Sequence, residues 1–169
     1  MTDSIQIHAN SNIEAIDYFD MPEPEIIIEE LPRRLPPGEY QGRLIKHETR
    51  LDFGGTPKLY LHFLVLQHGE ELAKLSKIYP VKKLIGAPKV NGGYQIGAES
   101  NVNKDLKRLW GACGFNPATL RRDRPSFKFL KNKKLTLTVV DVTRDHTGSP
   151  RCSDRVYSKV DHIDIDGFY

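Results

Sequence analysis

Cys113 and Cys152 are the only cysteines in the chain, and six scattered histidines accompany them. No repeated Cys-x-x-Cys or Cys/His spacing is present, so a zinc module is not expected. Two isolated thiols fit a reducing, cytosolic setting better than a disulfide framework. Catalytic signatures are missing too. The sequence has no glycine-rich phosphate loop ending in Lys-Ser/Thr and no HExxH. Asp141, Asp145 and His146 come nearest to a metal nuclease, but they fall at a strand end and in a turn, where acids are ordinary. Asp161, Asp164 and Asp166 invite the same thought and the same answer. The expectation is a protein that is not an enzyme and needs no cofactor. No basic leader with an apolar stretch opens the sequence, and no apolar run approaches the ~20 residues that span a bilayer. A soluble, cytoplasmic protein with no membrane partner is expected.

What the chain does have is one modest core's worth of apolar residues, 38% of 169, which suits a single domain with appendages. Its net charge of +3 conceals a division. Residues 1–35 hold eight acids against Arg33 and Arg34, a net of −6, and the rest of the chain carries +9. A basic body with an acidic arm suits a polyanionic partner. Excess lysine kept for solubility is the plainer alternative.

Residues 1–34 read as a flexible arm in which acids alternate with Pro22, Pro24 and Pro32. The triple isoleucine at 26–28 is its exception, either a short strand or a docking segment. From Leu35 the texture changes, after which Pro36-Pro37-Gly38 makes a stiff turn. A first strand is expected over 39–48, and Phe53-Gly54-Gly55-Thr56-Pro57 reads as a hairpin loop. The second strand, 58–67, sets Leu59, Leu61, Phe63 and Val65 on one face and Tyr60 and His62 on the other. A third strand follows over 71–81, with a bulge or twist. Residues 82–99 read as a long mobile loop. Val102, Leu106, Leu109, Trp110 and Cys113 then form one stripe of a helix capped by asparagine and stopped by Gly114 and Pro117. A basic connector, 121–134, leads to a fourth strand containing Leu135, Leu137 and Val139. After a turn at 145–150, a fifth strand runs over 155–162, leaving 163–169 as an acidic, aromatic tail. The tail reads equally as a peptide ligand, for a partner or for the protein's own cationic groove, or as a final strand edge, which Ile163 and Ile165 would suit.

Three strands, a helix and a closing pair of strands match the parts of an all-β, five-stranded OB-fold barrel with one capping α-helix and Trp110 as its main plug. A β-sandwich or a flat α+β sheet stays open. The domain is expected over 35–162.

Aromatic and basic residues interleave on the strand faces opposite the core: Lys58, Tyr60 and His62 on the second strand, and Arg155, Tyr157 and Lys159 on the fifth. Aromatic rings stack on bases while neighbouring cations meet phosphates. Lys82, Lys83 and Tyr94 in the loop are placed to close over a bound strand. Further cations (Lys89, Arg121, Arg122, Arg124, Lys128, Lys131, Lys133 and Lys134) interleave with Phe127 and Phe129. A solvated charged surface over core aromatics is the alternative.

These patterns together resemble the OB-fold single-stranded DNA-binding proteins encoded in phage replication and recombination clusters. The resemblance spans residues 35–162. Its carriers are Leu35-Pro-Pro-Gly-Glu-Tyr40, Pro57-Lys-Leu-Tyr-Leu-His-Phe63, Asn103-Lys-Asp-Leu-Lys-Arg-Leu-Trp110, Leu130-Lys-Asn-Lys-Lys134 and Arg155-Val-Tyr157. The acidic arm departs from the group's pattern, and so does Asn132, which replaces a glycine. The resemblance implies sequence-tolerant binding of single-stranded DNA, with Tyr60, Tyr157 and the bases beside them as contacts. It also implies a helicase, recombinase or nuclease as partner, which the acidic tail would meet, and leaves self-association open. The other function class is a protein-interaction or virion accessory module that uses the barrel as a scaffold.

Overall fold

The computed structural model describes residues 34–168, so the acidic arm and its isoleucines lie outside the described residues. Two of its hairpins form from local chemistry. β1 (Gly38–Leu51) turns into β2 (Pro57–Gln67) where one carboxylate oxygen of Asp52 accepts from the N–H groups of Gly54 at 3.0 Å and Thr56 at 2.8 Å. β2 turns into β3 (Glu70–Pro80) through His68 and Gly69, both at positive φ. Positive φ at both turn residues matches the right-handed twist of a hairpin.

The main sheet has the order β3-β2-β1-β6-β7, with β6 at Lys133–Val142 and β7 at Tyr157–Phe168. All four pairings are antiparallel, which leaves the edge strands β3 and β7 running the same way. Those edges lie side by side without a backbone ladder, and Lys77 on β3 donates to the Asp161 carbonyl on β7. β1 is shared: its first five residues pair with β6 and most of its length pairs with β2. At Gly42, which faces both Val65 and Leu135, a Cβ would overlap the Leu137 side chain. Only glycine lets the strand serve two partners that closely.

The sheet buries Leu44, Leu59, Leu61, Phe63, Val65, Leu75, Leu135, Leu137 and Ile163 on its inner side. β2 alternates as its sequence implies. In β1 a bulge between Leu44 and Lys46 resets the alternation, so His47 and Thr49 point inward while Lys46, Glu48 and Arg50 point out. The irregularity expected in the third strand also exists, at Val65/Leu66 in its pairing with β2.

The helix α1 (Asn101–Ala112) begins at Ser100, not at an asparagine; the Ser100 hydroxyl accepts from the Asn103 N–H at 3.3 Å. Gly114 ends it at φ +82°. Val102, Leu106 and Leu109 are buried. Trp110 is not the plug: it is half-buried, packs against the tilted Phe115 ring and edge-to-face with Phe129, and donates its indole N–H to the Asn116 carbonyl. Phe127 and Leu130 take the interior places instead. α1 is fastened to both sheet edges. The Tyr79 hydroxyl donates to Asp105 at 2.7 Å, and Arg108 donates to the Ile163 carbonyl and to Asp164.

Three expectations need correction. Residues 82–99 are ordered by a second, two-stranded sheet, β4 (Lys83–Ile85) and β5 (Gly93–Gln95). Their connecting loop lies along the half of β1 that β6 does not reach: Thr49 N–H donates to the Lys89 carbonyl, and Asn91 N–H to the His47 carbonyl. The last strand does not stop at 162: β7 continues to Phe168 with Ile163 buried and Ile165 half-buried, so of the readings of the tail the strand edge is the one seen. Arg155 precedes that strand, in a short 3-10 turn at Ser153–Arg155. Among the described residues no helix is long and apolar enough to cross a membrane.

Candidate nucleic-acid interface

Outside the core, β1, β2 and β3 present rows of facing residues. Arg50, Lys58 and Pro80 form one row, Glu48, Tyr60 and Ile78 the next, and Lys46, His62 and Ser76 a third. Residues opposite one another across a ladder share a face and touch. The Arg50 guanidinium lies 5.0 Å from the centre of the Tyr60 ring, and the His62 ring is nearly parallel to Tyr60 at 6.2 Å. His62 is held at both nitrogens, by Glu48 at 3.2 Å and Ser76 at 2.8 Å. An ionised carboxylate only accepts, so the Glu48 side takes the ring N–H and the Ser76 hydroxyl donates to Nδ1. Burial pushes the His62 pKa down against the pull of Glu48, which favours this neutral form. Glu48 is itself held below the usual carboxylate range, chiefly by the hydrogen bond from Arg50.

The second half of the site comes from the far edge of the sheet. Tyr157 and Lys159 on β7 border a cleft of about 490 Å³ whose opposite wall is Ile78 and Pro80 of β3, with Lys104 of α1 at its end. Ile78, 42% exposed, is opposite Tyr60 in the ladder and lines the same cleft as Tyr157, so it links the surfaces on which the two tyrosines lie. The Arg151 guanidinium sits 5.3 Å from the Tyr157 ring centre, as Arg50 does at Tyr60. At the rim, the β1–β2 turn leaves Phe53 fully exposed.

Five of the residues singled out in the sequence therefore share this surface: Lys58, Tyr60, His62, Tyr157 and Lys159. Four do not. Tyr94 is 2% exposed and packs edge-on against His47, so it has no face to offer a base. Arg155 is exposed on its turn and is out of the strand alternation. Lys82 and Lys83 line separate clefts with Arg122 and Arg124. Phe129 is half-buried and Phe127 fully buried, both part of the core packing.

Sequence reading missed Arg50, Arg151, Ile78 and Phe53. An aromatic residue ahead of two glycines in a hairpin turn was a signal for Phe53, because no core can reach a two-glycine tip. Arg50 and Arg151 gave no comparable signal, since their roles depend on which ring the fold brings beneath them. Asp141 and Asp145 have structural partners: Asp141 binds Arg34 at 2.7 Å, and Asp145 accepts from Thr147 and Ser149 to shape its turn. Comparison of the chain with protein-family models, with curated proteins and with solved structures found no match.

Proposed function

We propose that this protein is an OB-type barrel that binds single-stranded DNA without strong sequence preference. The observation that carries the reading is the tract Tyr60–Ile78–Tyr157, apolar and aromatic, with an arginine against each tyrosine ring. Every base has a π-face, and stacking on an aromatic contributes about 1–3 kcal/mol per base. Cations beside the rings meet the phosphates and release counterions. A duplex buries its base faces, so an exposed stacking tract favours a single strand. The barrel reading is supported by a β1 shared between β2 and β6, by edge strands that run in the same direction and meet at Lys77 and Asp161, and by a helix inserted before the last two strands. The setting we propose is phage-type DNA replication or recombination in the cytoplasm, beside a helicase, recombinase or nuclease.

Anisotropy titration with labelled oligo-dT at low salt tests the reading. Binding that exceeds binding to duplex is expected; none, or equal preference for duplex, overturns it. The Tyr60→Ala, Tyr157→Ala double variant is expected to keep its fold and lose affinity. A stable complex with another protein, without oligonucleotide binding, would favour the scaffold alternative.

A further inference from the structure

Three cations of the Tyr60–Tyr157 surface are engaged within the protein. Arg50 is paired with Glu48 at 2.8 Å, Lys58 with Asp52 at 3.7 Å and Lys159 with Asp161 at 3.9 Å. A different set is not. Lys82, Lys83, Lys107, Arg122 and Arg124 are all exposed, and none carries an ion pair among the described residues. They are also contiguous. Three clefts share lining residues: Lys107 and Arg122 in the first, Arg122 and Lys82 in the second, Lys83 and Arg124 in the third. Two acids border them. Asp123 is already bound by Arg121 at 2.6 Å and is also drawn to Arg124, without a direct ion pair, and Glu99 stands at one end.

This track begins where the stacking surface ends, at two points. Pro80 lines the cleft between the sheet edges, and Lys82, two residues on, lines the track. Lys104 lines that cleft as well, and Lys107, one helical turn further along α1, lines the track. A strand leaving the stacking surface past Pro80 and Lys104 therefore meets Lys82 and Lys107 next.

We infer that the Lys107–Arg122–Lys82–Lys83–Arg124 track is a second nucleic-acid segment site, which takes the sugar-phosphate backbone of the same single strand after it leaves the aromatic surface. The inference rests on the proposed single-strand reading. It divides the labour: rings hold bases on one surface, and free cations hold phosphates on the next. The track has no exposed aromatic between its cations, so it is a backbone site with no stacking of its own.

The test is a Lys82→Ala, Lys83→Ala, Arg122→Ala, Arg124→Ala variant, checked by circular dichroism and thermal melting, against oligo-dT of about 8 and about 30 nucleotides, one within and one well beyond the roughly 4–16 nucleotides that an OB fold spans. Anisotropy is read over a range of salt. The short oligonucleotide is expected to bind variant and wild type alike. The long one is expected to bind the variant more than about tenfold more weakly, with a salt slope reduced by about 0.7 for each phosphate that the variant leaves unneutralised. An unchanged slope and affinity for the long oligonucleotide overturn the inference while leaving the stacking surface standing. Tighter binding by the variant also overturns it, since that result assigns the track to the acidic residues 1–33. If neither length binds wild type, the single-strand reading itself fails.

Discussion

The Arg50 guanidinium covers one face of the Tyr60 ring, and Glu48 fixes it there through two hydrogen bonds of 2.8 and 3.0 Å. An incoming base must use the ring area left between Arg50 and the nearly parallel His62 ring, or displace the arginine. Glu48 is thus the acid at the centre of a surface proposed to bind a polyanion. Glu48→Gln is expected to tighten oligo-dT binding several-fold, because it removes a repelling charge and loosens Arg50. The exposed ion pair it breaks contributes only about 0–1 kcal/mol to stability. Weaker binding by this variant in an anisotropy titration would show that the fixed arginine is needed as it stands.

Phe53 separates binding from folding. Fully exposed at the β1–β2 turn, it contributes little to the folded state, and Phe53→Ala is expected to change stability by less than about 0.5 kcal/mol. If the ring closes on a base, oligonucleotide affinity falls by an amount of the order of one stacking interaction, about 1–3 kcal/mol. Urea denaturation and anisotropy on the same preparation read the two effects. A large loss of stability would contradict the exposed position.

His47 and His62 give the fold a pH dependence of known sign. Burial is the first cause that lowers each below its ordinary value of 6.5. The unfolded chain therefore binds more protons than the folded one between those depressed values and 6.5. Stability is full above this window and is lost as pH falls through it. Melting temperatures measured from about pH 8 to about pH 5 are expected to decline on acidification, and His47→Gln and His62→Gln each to flatten the decline. An identical slope in both variants would place the titration elsewhere.

Ser158 holds the entry of the domain. Its hydroxyl accepts from the Leu35 N–H at 2.8 Å and donates to the Leu35 carbonyl at 3.0 Å, all in a buried setting. Ser158→Ala leaves both backbone groups without that partner, and a loss of about 1–3 kcal/mol is expected in urea denaturation. Unchanged stability would mean that water replaces the hydroxyl there.

The sequence disclosed this fold where one periodicity dominated. The alternation of Leu59, Leu61, Phe63 and Val65 against Tyr60 and His62 fixed β2 and its two faces, and the Val102–Leu106–Leu109 stripe fixed α1. It was silent where glycine was selected for close approach and not for looseness. Gly92 touches Thr49 so closely that a Cβ would overlap its hydroxyl, yet in composition Gly92-Gly93 looks like a mobile loop, and Tyr94 was misplaced with it. The acids at 161, 164 and 166 left the end of β7 undecided between strand edge and tail, because a strand with a polar outer face looks like a charged tail until Arg108 is seen bound to Asp164. In the site, the tyrosines were legible from strand parity. Their arginines were not, since Arg151 reaches Tyr157 across a turn that no alternation describes.

The proposed groove is assembled from distant parts of the chain: Tyr60 and Ile78 belong to a meander of neighbouring strands, and Tyr157 to the last strand in the described body. During synthesis the meander can pair as soon as β3 leaves the ribosome. β1 must then wait for β6, and the cleft acquires its second wall only when β7 docks. A nascent or prematurely ended chain would carry half of the proposed stacking surface, so on this reading binding of a single strand waits until the domain is whole.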